Sequence, residues 1–287
     1  MSLPEPPTVP RCYRHPDREG GRSCTRCGKP ACADCLVQAA IGSHCLDCAK
    51  AARPDVKTRA KLASSRVLTP VTYTIIGLNL LVFLWMAVTD SSTFRNGLTR
   101  LHIDYGLKAV PMQTQGEWYR LLTSGFVHFG ILHLALNMYA LFNIGALVEK
   151  SSTPLKTVLL YTAALFGGSF GALLVEGNRF TITAGASGAV LGLFGAAVVG
   201  LRRDGFDVFS TSIGTSLLAI MYLTFRVDGI SIGGHLGGLV AGGICGFVMF
   251  PPRWKVYPKW LAIATPVAVT VVSIVGSIIY VNSLTFR

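Results

Sequence analysis

The residues with the clearest potential for chemistry are one serine, two histidines and an asparagine in apolar surroundings. Ser187 lies in a Gly-Ala-Ser-Gly run at the start of a long apolar segment. A serine between glycines is open to a substrate and is a candidate nucleophile, but small residues also form seams where membrane helices touch. His235 carries a second polar group, an imidazole, and His133 and Asn137 add an imidazole and an amide. Either interpretation of the serine depends on what the fold places beside it.

A second group with chemical potential is a series of cysteine and histidine pairs near the start of the chain. The pairs are Cys12 and His15, Cys24 and Cys27, Cys32 and Cys35, and Cys45 and Cys48. Two residues separate the members of each pair, and a tight turn can then bring both side chains to one ion. Eight ligands make two closed, structural zinc sites. The alternative is an extracellular module stapled by disulfides.

The composition places these groups in a membrane protein. Of 287 residues, 51% are hydrophobic and 14% are charged, whereas about a quarter are charged in soluble domains. The mean hydropathy is +0.50, and we predict an all-α polytopic membrane protein. The net charge of +12 would suit nucleic acid, but the basic residues lie mainly beside apolar runs, where they set orientation. The basic linker at 50–69 contains no aromatic residues that could stack on bases, so no nucleic-acid partner is predicted. The first ten residues are proline-rich without an apolar core, so no signal peptide is expected.

Seven apolar segments are predicted to form membrane helices, several of them only just long enough for a hydrocarbon core of about 30 Å. They lie near 71–89, 131–148, 155–176, 186–201, 211–226, 231–250 and 260–281. A basic linker, 50–69, precedes them and would be attracted to an anionic cytoplasmic leaflet. Between the first and second helices lies an amphipathic stretch, 90–130, and loops of that length inside a domain are usually functional.

Lysines and arginines in short loops predict the orientation in the membrane. They gather on one side: in the linker, at Lys150 and Lys156, at Arg202 and Arg203, and at Arg253, Lys255 and Lys259. This side is predicted to be cytoplasmic, and the membrane to be the plasma membrane. The N-terminal cysteines would then lie in a reducing compartment, which favours metal over disulfides. The C-terminus would lie outside.

The predicted topology brings the candidate groups to one depth. At about 1.5 Å per residue, Ser187 lies about 22 Å and His235 about 24 Å from the inner ends of their helices. His133 and Asn137 are four residues apart and share one face of a helix that enters from outside. Polar groups inside a bilayer are costly unless they are paired. We therefore expect the four side chains to meet in the outer layer.

Glycines support the same convergence because they let helix backbones approach closely. They recur every four residues on the fourth and sixth helices, as Gly188 and Gly192, and as Gly234, Gly238, Gly242 and Gly246. Ser187 and His235 each adjoin one of these glycines. Close packing of the two helices would bring the hydroxyl within hydrogen-bond reach of the imidazole.

Several motifs follow one another in a fixed order along the membrane region. They are Gly116-Glu-Trp-Tyr-Arg120, His128, His133-x3-Asn137, Glu149, Gly-Ala-Ser187-Gly and His235-x2-Gly238-x3-Gly242. With these motifs, roughly residues 70–250 resemble the rhomboid intramembrane serine proteases. The resemblance implies a bundle of six helices with one further C-terminal helix.

The resemblance also implies roles for individual residues. Ser187 would be the nucleophile and His235 the general base of a dyad. The backbone N–H of Ser187 and the side chains of His133 and Asn137 would stabilise the oxyanion. A dyad without a third member fits the sixth helix, in which no acidic residue stands to orient the base.

Other residues receive structural roles from the resemblance or depart from it. Arg120 would anchor the 90–130 loop, and His128 and Glu149 would belong to networks or position helices. Three positions depart from the family pattern. Relatives often carry an aromatic ring in place of Leu191, a polar residue in place of Ile232 and a tryptophan in place of Tyr119. The first two bear on how the base is oriented.

The spacing of the N-terminal pairs resembles a B-box type zinc finger, in which ligand pairs alternate between two ions. On that pattern one zinc would be held by Cys12, His15, Cys32 and Cys35, and the other by Cys24, Cys27, Cys45 and Cys48. B-boxes often have histidines in the last pair, so His44 is a further candidate ligand.

The sequence therefore predicts four regions. They are a cytosolic double zinc-binding domain, 1–49; a basic linker, 50–69; a protease core with six transmembrane helices, 70–252; and an additional transmembrane helix, 253–287.

The predicted function is cleavage of transmembrane segments of membrane proteins near the outer face. The fifth helix is the predicted gate for substrate, and the zinc domain is predicted to recruit a cytosolic partner. The alternative is a pseudoprotease that binds membrane clients. A transporter or channel would need polar residues along a whole pathway or inverted repeats, and neither is found.

Overall fold

The computed structural model describes residues 9–39, 42–51, 68–95, 97–177, 181–252 and 254–285. The chain divides into two units, Met1–Val67 and Leu68–Arg287. The proline-rich start and most of the linker predicted at 50–69 lie outside the described residues. The finer division at residues 49, 69 and 252 stays a prediction.

The first unit is a small fold of two short hairpins. Its elements are β1 (Arg22–Ser23), β2 (Pro30–Ala31), a 3-10 helix (Ala33–Cys35), β3 (Leu36–Gln38), β4 (Ser43–Cys45) and α1 (Leu46–Ala51). β1 pairs antiparallel with β2, and β3 with β4. The described hydrophobic cluster consists of Ala31 and three cysteines, with a few partly buried neighbours. So small a core usually needs metal ions or disulfides for stability.

The second unit consists mainly of helices. In chain order they are α2 (Pro70–Thr89), α3 (Arg100–Tyr105), α4 (Ala109–Gln115), α5 (Arg120–Thr123), α6 (Gly130–Ser151), α7 (Pro154–Glu176), α8 (Ser187–Arg203), α9 (Ser212–Arg226), α10 (Ile232–Met249) and α11 (Leu261–Ser283), with 3-10 turns at Ser91–Arg95 and Val208–Ser210. The seven predicted segments correspond to α2 and α6 to α11, which confirms the all-α fold. By length and composition, five described helices can cross a membrane: α2, α6, α7, α10 and α11. The other two are shorter, with 17 residues in α8 and 15 in α9.

Helix α10 packs against α7 on one side and α8 on the other, and glycines form both contacts. A Cβ atom added to Gly238 or Gly242 would collide with the carbonyl oxygen of Gly188 or Gly192 on α8. On the other side, one added to Gly171 of α7 would collide with the backbone of α10. The matching glycine stripes predicted for the fourth and sixth helices therefore lie face to face.

Two carboxylates hold the N-termini of neighbouring helices. Glu149, near the end of α6, accepts hydrogen bonds from two N–H groups in the first turn of α2, at 3.0 and 2.9 Å, and from the Thr72 hydroxyl at 2.8 Å. Glu176, the last residue of α7, accepts from the Gly233 N–H at 3.0 Å and the Ser231 hydroxyl at 2.7 Å. The first N–H groups of a helix lack partners within it and carry partial positive charge. These carboxylates thus fix α2 on α6 and α10 on α7.

The described residues of the stretch 90–130 are folded and are tied to the rest of the second unit. The guanidinium of Arg120 is buried and donates to two backbone carbonyl oxygens of the stretch, at 2.7 and 2.8 Å. Leu107 and Thr183 exchange backbone hydrogen bonds in an isolated antiparallel bridge. Thr183 lies four residues before Ser187, so this bridge holds the chain that leads into α8.

Candidate functional site

The predicted nucleophile and base lie together. Ser187 is the first residue of α8, and His235 lies in the first turn of α10. The serine Oγ is 2.8 Å from Nε2 of His235, whose residue is only 6% exposed. This is the distance of a hydrogen bond, and it suits transfer of the hydroxyl proton to the imidazole. The glycine contacts between α8 and α10 position both residues.

A threonine that the sequence did not point to contacts the other nitrogen of the imidazole. Nδ1 of His235 is 2.6 Å from Oγ1 of Thr224, a buried residue near the end of α9. Oγ1 is also 2.7 Å from the carbonyl oxygen of Ile220, one turn earlier in the same helix. Threonines commonly make this bond in apolar helices, which is why Thr224 carries no distinctive signal in the sequence.

His133 and Asn137 lie beside the chain that enters α8. Gly185, two residues before Ser187, has a φ of +128°. A Cβ atom added there would lie 2.8 Å from Nε2 of His133 and 3.8 Å from Nδ2 of Asn137. The Asn137 amide also donates to the carbonyl oxygen of His133, at 3.2 Å. The predicted oxyanion donors thus flank the segment that carries the serine.

His128 belongs to a buried network that supports the same segment. Its Nε2 accepts from the N–H of Ala186 at 3.4 Å, while its Nδ1 donates to the carbonyl oxygen of Phe126 at 3.1 Å. The backbone carbonyl of His128 accepts from Nε2 of His102 at 3.1 Å, and the other ring nitrogen of His102 bonds to the Thr99 hydroxyl at 2.7 Å. His102 was not anticipated from the sequence, since a single histidine in a loop indicates no partner.

The remaining predicted residues lie elsewhere in the second unit. Arg120 pairs with Glu117 and holds the 90–130 stretch, and Glu149 holds the start of α2. Leu191 is buried in the bundle, and Ile232 is the first residue of α10. These residues shape the helices around the serine–histidine pair.

The eight predicted metal ligands form two clusters in the first unit. One contains Cys12, His15, Cys32 and Cys35, and the other contains Cys24, Cys27, Cys45 and Cys48. Within each cluster the ligand atoms lie within 4.8 Å of one another. This is the alternating grouping that the B-box resemblance implies. His44 lies in β4 and belongs to neither cluster.

The chemistry of the clusters fits a metal ion. All eight cysteines lie in described residues and are free thiols, and the sulfurs of Cys27 and Cys45 are 3.7 Å apart, whereas a disulfide needs about 2.05 Å. A backbone hydrogen bond from Cys45 is the main cause that lowers the pKa of Cys24 to about 6. Hydrogen bonds with Cys27 and Cys45 chiefly raise the pKa of Cys48 to about 12. Several thiolates can share so small a space only around a cation, so both clusters could hold metal ions.

Comparison with known proteins gives concordant matches. A family model described as the Rhomboid domain matches residues 115–252. The chain is 32% identical to the rhomboid protease GluP of Bacillus subtilis over 194 residues, which are 66% of this chain and 37% of that protein. It is 28% identical to Rhomboid-like protease 1 of Toxoplasma gondii over 175 residues, 58% of this chain and 59% of that protein.

A third relative is described as inactive. The chain is 32% identical to Inactive RHOMBOID-like protein 8 of Arabidopsis thaliana over 123 residues, 43% of this chain and 34% of that protein. The chain therefore spans between about a third and three fifths of the length of these three relatives.

Proposed function

The chain belongs to the rhomboid family, and we propose that it is an intramembrane serine endopeptidase that cleaves transmembrane segments of other membrane proteins near the outer face. The observation that carries this proposal is the 2.8 Å contact between Oγ of Ser187 and Nε2 of His235. Ser187 is the nucleophile and His235 the general base. Identity with relatives named as proteases supports the reaction class.

The reaction proceeds in two stages. Oγ of Ser187 attacks the scissile carbonyl carbon while its proton passes to Nε2 of His235. The tetrahedral intermediate collapses as the C–N bond breaks, and His235 donates the proton to the leaving amine. Water, deprotonated by the same imidazole, then attacks the acyl ester, and the carboxylic acid product leaves as Ser187 regains its proton.

The oxyanion of the intermediate is stabilised at the start of α8. The first N–H groups of a helix lack partners within it, and the positive end of the helix dipole adds to their effect. The N–H of Ser187 and the side chains of His133 and Asn137 are the donors. In a dry site, each such donor lowers the rate-limiting barrier by about 3 kcal/mol.

The active site faces the outside of the plasma membrane, with the N-terminus in the cytosol and the C-terminus outside. The distribution of lysine and arginine supports this orientation. Nε2 of Gln113, in the 90–130 stretch, donates to the carbonyl oxygens of Val281 and Leu284 at 2.9 and 2.8 Å. The end of α11 thus contacts the 90–130 stretch. The same stretch pairs through Leu107 with Thr183, shortly before Ser187, so the C-terminus is assigned to the side of the active site. Substrates enter beside α9, of which only Gly214 and Thr224 are buried.

The first unit binds two structural zinc ions, one in each cluster. Four sulfur or nitrogen donors around a point match the tetrahedral preference of zinc, and no ligand position is left for a substrate. Closed sites of this kind stabilise a fold whose apolar core is small. The unit recruits a cytosolic partner or the cytosolic tail of a substrate.

The test of the protease assignment is cleavage of a transmembrane reporter in cells. Wild type releases the reporter ectodomain, and Ser187→Ala does not, because it lacks the nucleophile. Ser216→Ala, which removes an exposed hydroxyl on α9, serves as the matched control and cleaves like wild type. Equal cleavage by wild type and Ser187→Ala would overturn the proposal.

A second candidate function, binding of membrane clients without cleavage, draws support from the relative described as inactive. A fluorophosphonate probe separates the two. Labelling of wild type at Ser187 supports the protease. Absence of labelling in folded protein, under conditions that label a known rhomboid protease, favours the binding function.

A further inference from the structure

We infer that Thr224 is the positioning residue for His235 and that it links the orientation of the base to the location of α9. The inference rests on the proposed function, in which His235 is the general base. The ring partners that the structure gives His235 are Ser187 at Nε2 and Thr224 at Nδ1, at 2.8 and 2.6 Å. Thr224 is 2% exposed.

The hydrogen bonds of Thr224 select one tautomer of the imidazole. A carbonyl oxygen only accepts, so the 2.7 Å contact with Ile220 requires the threonine to donate its single proton there. Oγ1 must then accept from Nδ1–H of His235, which leaves Nε2 unprotonated and able to accept from the Ser187 hydroxyl. This arrangement makes three hydrogen bonds. With the proton on Nε2, the same groups make only two, because Thr224 must turn from Ile220 to Nδ1.

A general base needs this tautomer, because only an unprotonated Nε2 can remove the serine proton. An acidic residue on Nδ1 serves this purpose in catalytic triads. Here a neutral hydroxyl occupies that place. Leu191, one turn after the serine, is aliphatic and Ile232 is apolar, so neither supplies a hydrogen bond to the ring. Thr224 accounts for the orientation that these two residues do not provide.

The location of Thr224 makes the orientation depend on α9. Within α9, all of whose residues the structure describes, the buried residues are Gly214 at one end and Thr224 near the other. His235, in contrast, belongs to α10, which glycine contacts and Glu176 fix to α7 and α8. If α9 moves outward by about 1 Å, the 2.6 Å contact leaves hydrogen-bond range. The base is fully oriented only when α9 lies against α10.

Substitutions that keep or remove the hydroxyl test this role. Thr224→Val keeps the shape and lowers kcat by about tenfold to a hundredfold, with little change in KM, because a buried N–H loses its acceptor. Thr224→Ser restores the hydroxyl and keeps kcat within about threefold of wild type. Thr215→Val removes an exposed hydroxyl on the same helix and is the matched control. A folded Thr224→Val with the kcat of wild type, or a Thr224→Ser as slow as the valine variant, would overturn the inference.

A measurement that does not depend on activity separates this inference from the proposed function. In detergent-solubilised protein labelled with 15N-histidine, NMR reports which ring nitrogen of His235 carries the proton, and His235→Ala assigns the signal. Wild type and Thr224→Ser hold the proton on Nδ1, whereas Thr224→Val shows a mixture. A wild-type proton on Nε2, or an unchanged signal in Thr224→Val, contradicts the inference. Wild type without cleavage or labelling counts against the proposed function alone.

Discussion

Replacement of Gly238 by alanine places a methyl group where α10 touches the backbone of α8. The added carbon would lie 3.0 Å from Cα of Gly188 and closer still to its carbonyl group. Carbon atoms in contact prefer about 3.5–4.0 Å, so the two helices must separate by about 1 Å at this point. Because backbone atoms form the contact, rotation of a side chain cannot relieve the overlap.

The separation acts on the serine and the histidine directly. Ser187 adjoins Gly188, and His235 lies one turn before Gly238, so a contact of 2.8 Å widens beyond hydrogen-bond range. We expect cleavage to fall by about a hundredfold, the usual cost of a 1 Å misplacement. Overpacking should also reduce the free energy of unfolding by about 1–3 kcal/mol.

Gly243 supplies the matched control on the same helix, because a Cβ atom there meets nothing within 4 Å. Gly243→Ala should keep wild-type cleavage. The assay is initial rate on a transmembrane reporter in detergent or liposomes, with thermal unfolding measured on the same samples. The reasoning is refuted if Gly238→Ala retains cleavage within about twofold of wild type, or if Gly243→Ala loses as much as Gly238→Ala.

Three further outcomes are expected. Glu149→Gln removes a charged acceptor from the start of α2 and should lower the free energy of unfolding by about 1–3 kcal/mol, which is measured as a lower Tm. Lys150, the next residue, is exposed, and an equal fall in Tm for Lys150→Gln would contradict this. Cys35→Ser should reduce bound zinc from two ions per chain to one by metal analysis, and two retained ions would refute the cluster assignment. Deletion of 1–49 should leave reporter cleavage intact but remove cytosolic interactors, and an unchanged set of interactors would disprove the recruitment role.

The contact between Ser187 and His235 is predictable from the sequence because helix rise is constant. Residue counts from the ends of two helices assign the serine and the histidine to one level, and the four-residue spacing of glycines indicates which helix faces meet. Both inferences need only distances along single helices. The structure accordingly has the two side chains in contact.

Thr224 and Glu176 could not be predicted in the same way. Thr224 contacts His235 only because of the rotation of α9 about its axis, and that helix has too few buried residues for the sequence to define a buried face. Glu176 meets the start of α10 more than fifty residues later in the chain. A carboxylate at a helix end does not reveal which helix N-terminus it caps.

The metal clusters illustrate an intermediate case. Two-residue spacing identifies cysteine and histidine pairs as ligands, but it does not say which pairs share an ion. Resemblance to the B-box supplied the alternating grouping, and the structure has the same grouping because the hairpins β1–β2 and β3–β4 fold the pairs together.

The four-residue repeat of glycines on α10 allows only certain positions of this helix along α8. If α10 slid along α8, side chains of α10 would meet the backbone of α8 at the positions that glycines now occupy. Glycines would face that backbone again only after a shift of four residues, or about 6 Å. Such a shift would carry His235 a full turn away from Ser187. The two residues are therefore either in register or entirely apart, and the seam excludes intermediate alignments in which the imidazole is near the hydroxyl but misdirected.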